Sequence, residues 1–303
     1  MLLVTFSEHG KDKLGLVSAE RTHVYPLSDC EQHYTSEQHL PATMIELIAQ
    51  WDASEEKVRF LQKAAQADNL CPFKIALENI KLKAPIPRPA KNIFCIGKNY
   101  KEHALELASG NLSDAIPKHP VIFTKAPTAV IGTNDIIHSH SHLTSAVDYE
   151  VELAVVIGKK AKGISREEAL DYVFGYTIMN DVTARDLQKQ HMQWFRGKSM
   201  DTFGPMGPFL VHKSAVPDPG NLHVQSKVNG EIRQNANTKD FIFDIPTLLA
   251  TISAGITLEP GDIIATGTPA GVGAGFQPPK FLKSGDVIEC IIENLGVLRN
   301  TIS

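Results

Sequence analysis

No two cysteines in the chain stand close enough to form a C-x-x-C pair or a zinc knuckle. The four present among 303 residues are Cys30, Cys71, Cys95 and Cys290, widely spaced. That spacing points away from a disulfide framework and toward free thiols in a reducing cytoplasm. Long apolar runs are missing as well, so no segment reaches membrane-spanning length. The opening Met1-Leu2-Leu3-Val4-Thr5-Phe6 lacks the basic flank and the length of a secretory leader. Lysine and arginine form no block, and the formal net charge of −4 offers no attraction to nucleic acid or to an anionic membrane. Internal repeats and low-complexity tracts are absent too. What is present is an ordinary globular composition, 43% hydrophobic and 21% charged. It is enough for one large domain, or a large domain and a small one.

Residues 1 to about 29 alternate short apolar runs with polar turns and are predicted as small strands. Met44–Trp51 and Glu55–Ala67 carry helical spacing. Lys83-Ala84-Pro85-Ile86-Pro87-Arg88-Pro89 places proline at every second position, which neither a helix nor a central strand accepts. It reads as an extended linker, giving a small N-terminal α+β domain over 1–85 and a larger domain over 86–303. Further strands are predicted at Asn92–Gly97, Val121–Thr124, Val151–Ile157, Phe174–Asn180, Asp262–Thr266 and Val287–Ile292, with a last short one after Gly296. Helices are predicted at Lys98–Ala108, Thr183–His191 and Asp244–Ala254. Ser165-x-x-Glu168 has the form of a capping box opening a helix through Val173. Asn229-Gly230 between two candidate strands marks a hairpin. The Ser109–Lys118 stretch has the composition of a mobile flank. Strands dominate without βαβ alternation, so the fold class is α+β, β-rich: a mixed β-sandwich roll rather than a doubly wound sheet.

One stretch organises the chain, Asp148-Tyr149-Glu150-Val151-Glu152-Leu153-Ala154-Val155-Val156-Ile157-Gly158. On a strand, Glu150 and Glu152 leave the same face. An isolated Glu-x-Glu is usually a solvated strand face. Here the following run is too continuously apolar for a half-exposed strand, and a third carboxylate, Asp181, ends the next apolar strand. Like charges at a buried strand mouth repel unless something positive lies between them. Three carboxylates at strand ends make a hard oxygen site suited to Mg²⁺, Mn²⁺ or Ca²⁺.

Five motifs in order extend this reading. They are Gly97-Lys98-Asn99-Tyr100-x-x-His103-x-x-Glu106, Asp148-Tyr149-Glu150-x-Glu152-Leu153, Asn180-Asp181-x-Thr183-Ala184-Arg185-Asp186-Leu187-Gln188, Gly197-Lys198-Ser199-x-Asp201-Thr202 and Thr266-Gly267-Thr268-Pro269-x-Gly271-Val272. Together they resemble the fumarylacetoacetate hydrolase (FAH) superfamily over about residues 92–303. The N-terminal extension and Phe276-x-Pro278-Pro279-Lys280-Phe281 look closest to its YisK-type bacterial subgroup. The resemblance implies an FAH-type roll, a Mg²⁺ or Mn²⁺ cofactor on Glu150, Glu152 and Asp181, a homodimer and a small 2-oxo acid substrate.

It also implies roles for individual residues, each with a plainer alternative. Arg185 and Gln188 share a helix face and would bind substrate; otherwise they are a surface face with Asp186 as ion-pair partner. Lys198 would balance enolate charge, or is an exposed loop lysine. Gly267 and Thr268 would approach the ligand, or form a plain turn. His103 and Glu106 would be a base and its orienter on a lid, or an exposed helical pair. His138, His140 and His142 alternate along a polar stretch where the family has a variable loop, so a transition-metal site there is disfavoured. Trp194 and Phe195 read as local packing.

The implied activity is C–C cleavage of a short 2-oxo acid through a pyruvate enolate stabilised by the cation, with oxaloacetate decarboxylation favoured. Acylpyruvate hydrolysis, of the fumarylpyruvate or fumarylacetoacetate type, shares the intermediate. A 2-oxo-enoate hydratase or isomerase is possible on the same scaffold. A non-catalytic binding protein is the rival from another class, and retention of all three carboxylates and of Lys198 speaks against it.

Overall fold

The computed structural model describes residues 1–68, 70–106 and 115–303. The chain is α+β and β-rich, built on a large mixed sheet. At its centre lies the Val151–Ile157 strand, buried along its whole length. It pairs antiparallel with Val173–Asn180 on one side and Ile263–Ala265 on the other. Beyond Ile263–Ala265 the sheet continues through Ile93–Gly97, which is parallel to it, to Val121–Lys125.

A strand hidden on both faces needs two separate cores, and period-2 alternation fills both. Val151, Leu153, Val155 and Ile157 face one core, shared with Val224, Ile288, Cys290 and Leu298 from a second, five-stranded sheet. Ala154 and Val156 face the other, shared with Leu47, Trp51, Val58 and Leu61 from the N-terminal helices. Each buried Leu, Val or Ile side chain here contributes roughly 1.5–3 kcal/mol. The first core is the sandwich of the roll. The second is a helical layer on the back of the same sheet.

The N-terminal segment is therefore tied to the rest by main-chain bonding as well as packing. Leu2–Glu8 pairs with Gly204–His212, Leu2 opposite Val211 and Leu3 opposite Leu210. Lys11–Val17 and His23–Pro26 extend the sheet outward. The proline-rich stretch has no regular structure, and Ala84, Pro85 and Ile86 in it are buried. Thr5 Oγ1 donates to the Pro85 carbonyl at 2.7 Å.

Several elements differ from the pattern expected of the sequence. Leu27–Thr35 is a helix, not the end of a strand region. It buries only Leu27, Cys30 and Glu31, a stripe too narrow to register as periodic. Helices at Met44–Ala49 and Trp51–Ala67 follow the predicted spacing, the first opened by a Thr43/Glu46 capping box. Ser165 and Glu168 form only half a box, the Ser165 N–H donating to Glu168 Oε1 at 3.2 Å. A single 3-10 turn at Ala169–Tyr172 follows, because Val173 and Phe174 already belong to the buried strand. The Arg185–Gln190 helix starts two residues late, since Thr183 and Ala184 pair with Asp148 and Val147. Asn229 and Gly230 both take positive φ (52° and 82°) and close the expected hairpin. Of the predicted 98–108 helix, Lys101–Glu106 forms; Leu107, Ala108 and the 109–114 part of the expected mobile flank lie outside the described residues.

Where the helical layer meets the sheet, His212 is wedged beside Trp51 and Phe174, with ring centroids 5.1 and 5.2 Å away. Burial, with Arg59 as the next cause, holds its pKa down at about 4. A histidine held neutral in the fold charges freely once unfolded, so its contribution costs stability as pH falls from about 6.5 and levels off below about 4. His212→Phe keeps a ring in place and removes the titration. Urea unfolding at pH 7 and pH 5 should show the wild type losing up to about 2 kcal/mol more than this variant across that interval. Equal losses would remove His212 as a source of acid sensitivity.

Candidate metal and substrate site

Glu150, Glu152 and Asp181 converge because of sheet register. Val151 stands opposite Asn180, which leaves Glu150 beside Asp181 at the same end of the strand pair. The Asp181 N–H donates to the Glu150 carbonyl at 2.9 Å, and the Glu150 N–H to Asn180 Oδ1 at 3.0 Å. Tyr149, fully buried, anchors its hydroxyl on the Gly271 carbonyl at 2.9 Å and so holds the two flanking residues on the opposite face. One carboxylate oxygen from each of the three residues lies within 4.8 Å of the others. Among the described residues this is the one cluster of three metal-capable side chains. His138, His140 and His142 do not converge: neighbouring ring centroids are 6.2 and 6.3 Å apart, and His140 Nε2 pairs with the Asp201 carbonyl.

Three buried cations surround the triad. Lys198 bridges Glu150 Oε2 at 2.7 Å and Asp181 Oδ2 at 2.8 Å. Arg185 donates through Nε to Asp148 Oδ2 (2.8 Å) and through Nη1 to Gln188 Oε1 (3.2 Å), and pairs through Nη2 with Glu150 Oε1 (2.6 Å). Lys125 pairs with Asp181 Oδ1 and donates to the Val182 carbonyl at 3.0 Å. Asp148 in turn accepts from the backbone N–H groups of Tyr149, Gly273 and Ala274. Lys125 and Asp148 were not singled out from sequence. Asp148 sits inside a quoted motif and was within reach. A lysine ending a short strand carries no signal of its own.

Local sequence explains how these groups get so close. Gly197 lies where a Cβ would come within 2.6 Å of the Gln188 nitrogen and 2.7 Å of the Ala184 carbonyl. Only glycine lets the Phe195–Lys198 turn press onto the Arg185–Gln190 helix and deliver Lys198. Gly267, with φ of 101°, turns its N–H onto Glu152 Oε2 at 3.0 Å.

The charges do not balance. Among the described residues, the buried Asp148, Glu150, Glu152 and Asp181 have only Lys125, Arg185 and Lys198 as ion-pair partners. Burial opposes the charged form of Glu150, but Lys198 and Arg185 outweigh it and hold the carboxyl at about 2. Glu152 goes the other way. Burial, then the charges of Asp181 and Glu150, push it well above the carboxylate range. Among the described residues no lysine or arginine pairs with Glu152. A hard dication on these three oxygens supplies the missing charge, so the donor set fits Mg²⁺ or Mn²⁺.

Of the remaining expected residues, His103, Gln188 and Thr268 line one cavity of about 190 Å³ together with Glu150, Glu152, Arg185 and Lys198, whereas Glu106 and Gly267 stand behind its walls. His103 Nδ1 is 3.2 Å from Glu106 Oε2, and Glu106 Oε1 accepts from the Gly271 N–H at 2.8 Å. Thr268 donates its hydroxyl to the Val151 carbonyl at 2.9 Å and accepts from Gln234 Nε2 at 2.7 Å, so its oxygen is committed to the scaffold. Trp194 also lines the cavity, rather than packing elsewhere.

A β-roll whose strand ends carry a carboxylate triad flanked by buried lysine and arginine defines a class of enzymes that work on small molecules. Within that class the chain belongs to the fumarylacetoacetate hydrolase family: residues 92–303 match the family model for the fumarylacetoacetate (FAA) hydrolase C-terminal domain. It is 53% identical over 281 residues to oxaloacetate tautomerase YisK of Bacillus subtilis, covering 92% of each chain. It is 43% identical to the mitochondrial oxaloacetate tautomerase fahd2 of Xenopus laevis, over 87% of this chain and 79% of that one. Maleylpyruvate hydrolase of Sphingobium sp. SYK-6, solved with manganese(II) and pyruvate, superposes with a TM-score of 0.76 at 31% identity, over 100% of this chain and 98% of that one.

Burial and the neighbouring carboxylates favour the neutral form of Glu152 while a cation favours the ionised form, so cation binding is coupled to proton release. Calorimetric Mn²⁺ titrations in buffers of different ionisation enthalpy should therefore report proton release near pH 7. Glu152→Gln should abolish that release and weaken Mn²⁺ by about 100-fold or more. Full-strength binding by the variant would remove Glu152 from the ligand set.

Proposed function

We propose that this chain is a Mg²⁺- or Mn²⁺-dependent enzyme that forms and discharges the enolate of a short 2-oxo acid, with oxaloacetate as substrate. The observation carrying this reading is Lys198, a buried ammonium held between two of the three candidate ligands and facing the same cavity as His103. When bound, the cation would act as a Lewis acid toward the carboxylate and keto oxygens of the 2-oxo acid. Lys198 places a point charge where enolate charge develops. Arg185 donates to Asp148 and Gln188 and offsets the Glu150 charge, while its Nη2 makes no hydrogen bond among the described residues, so its part is to orient Gln188 and balance Glu150. Gln188 accepts from Arg185 through Oε1, which leaves its amide NH₂ for the ligand.

His103, oriented by Glu106, is the proton carrier. In keto–enol interconversion it takes a proton from C3, and the enolate oxygen is then protonated. In decarboxylation the C3–C4 bond breaks, CO₂ leaves, and C3 is protonated afterwards. The names of the bacterial and amphibian relatives favour interconversion; both reactions share the enolate. The second reading is acylpyruvate hydrolysis, in which His103 would activate water toward the distal carbonyl, and the maleylpyruvate hydrolase likeness favours it. A homodimer in the cytoplasm belongs to this proposal as well.

The test is to follow oxaloacetate enol loss and pyruvate release, and separately acylpyruvate cleavage, with metal, with chelator and with Glu150→Ala. The uncatalysed effect of free metal is subtracted. Metal-dependent oxaloacetate turnover lost in Glu150→Ala is the expected result. Lys198→Met should slow every oxaloacetate reaction by about 100-fold or more. His103→Ala should slow interconversion by roughly 100- to 10,000-fold and decarboxylation far less. Cleavage of acylpyruvates alone would make the chain a hydrolase. Silence on both substrates with metal bound would overturn the proposal.

A further inference from the structure

Not every group lining the cavity is used by the metal or by the 2-oxo end of a substrate. Lys98, Lys189, Phe123 and Trp194 share its walls. Lys125, Arg185 and Lys198 are all paired with carboxylates. Lys98 and Lys189 are paired with none among the described residues. They are surplus positive charge at a cavity whose metal end already has its counter-ions.

Lys98 is also held there at a cost. Its φ of 55° lies in the left-handed region, uncommon for a side chain of this kind. The neighbours impose it. Asn99 is fully buried and pinned by three bonds: its Nδ2 donates to the Thr266 carbonyl (2.8 Å) and the Phe243 carbonyl (3.1 Å), and its Oδ1 accepts from the Phe243 N–H (2.8 Å). Gly267 lets this turn lie against the Thr266–Thr268 loop, for a Cβ there would be 2.7 Å from that of Asn99. On the other side Gly97 is covered directly by the Trp194 ring, which a Cβ would displace. The Gly97–Asn99 turn is thus clamped between loop and indole, and Lys98 is left with the cavity.

Trp194 stands edge-on to Phe123, with ring centroids 5.2 Å apart, and Lys198 Nζ lies 5.1 Å from the Phe123 centroid. This aromatic wall keeps the cavity near 190 Å³. Pockets for drug-sized ligands run from roughly 300 to 1,000 Å³, so the space suits a molecule of a few carbons.

We infer that Lys98, assisted by Lys189, is a specificity residue that receives the distal carboxylate of a short 2-oxo dicarboxylic acid, and that Trp194 sets its length. The inference rests on the proposed 2-oxo acid chemistry. One carboxylate of such a substrate, with the keto oxygen, belongs to the cation; the other needs a separate cation, and Lys98 supplies it. A neutral-ended acylpyruvate has no use for that charge.

Two probes separate the ends of the cavity: oxalate, which has only a metal-binding end, and 3,3-difluorooxaloacetate, which has both ends and no C3 proton. Calorimetry on the Mn²⁺-loaded protein should show Lys98→Gln weakening difluorooxaloacetate by about tenfold, the scale of one lost charge-assisted hydrogen bond. Oxalate should be unaffected, and Lys98→Arg should restore most of the loss. In turnover, Lys98→Gln should raise KM for oxaloacetate by a similar factor and leave acetylpyruvate unchanged. Trp194→Ala should improve six-carbon 2-oxo dicarboxylates relative to oxaloacetate. If Lys98→Gln weakens both probes alike, or neither, the inference falls while the enolate reading stands. If the wild type binds oxalate but no 2-oxo acid, both fall together.

Discussion

Everything at this site follows from the burial of four carboxylates brought together at the ends of paired strands. Asp148, Glu150, Glu152 and Asp181 are each almost wholly shielded from water. Repulsion and lost hydration would protonate them all if the fold did not answer with charge. It answers for three. Lys125, Arg185 and Lys198 hold Asp181, Asp148 and Glu150, and Asp148 gains three backbone N–H donors besides. Glu152 receives one N–H, from Gly267. That asymmetry leaves an oxygen cluster short of positive charge while its geometry is already assembled, which is the condition for binding a hard dication without reorganisation.

The scaffold makes this burial affordable. The strand carrying Glu152 is covered on one face by the second sheet and on the other by helices from the first third of the chain. Rigid cover on both faces keeps the strand ends in register, and register sets the spacing of the carboxylates. The glycines at 197 and 267 complete the arrangement by allowing backbone to touch backbone where any side chain would hold the loops apart. The N-terminal segment lies away from the cavity, yet it forms part of the layer that keeps the central strand dry.

Much of this was legible in the residues. Glu150 and Glu152 share a face because strand periodicity is two, and the apolar run after them marks the strand as buried. The hairpin at Asn229-Gly230 and the helix over Ile245–Ser253 follow from local chemistry. Misjudgements came where a distant partner overrode local preference. Val173 left a promising helix for a strand, and Thr183 and Ala184 left theirs to pair with Asp148 and Val147. That second pairing is what brings Asp148 beside Arg185, and neither residue announces it.

By itself the sequence determined the β-rich class, the carboxylates at strand ends and the family motifs, because alternation, capping and turn chemistry act over a few residues. The tertiary structure alone decided that Lys125 would be swallowed whole beside Asp181, that Arg185 would be buried against Asp148 and Glu150, and that Trp194, packed on Phe123, would wall the cavity. Each of those outcomes depends on which strands and turns are neighbours in space. Charge pairing and cavity shape are set by packing between residues far apart along the chain, and no local pattern encodes them.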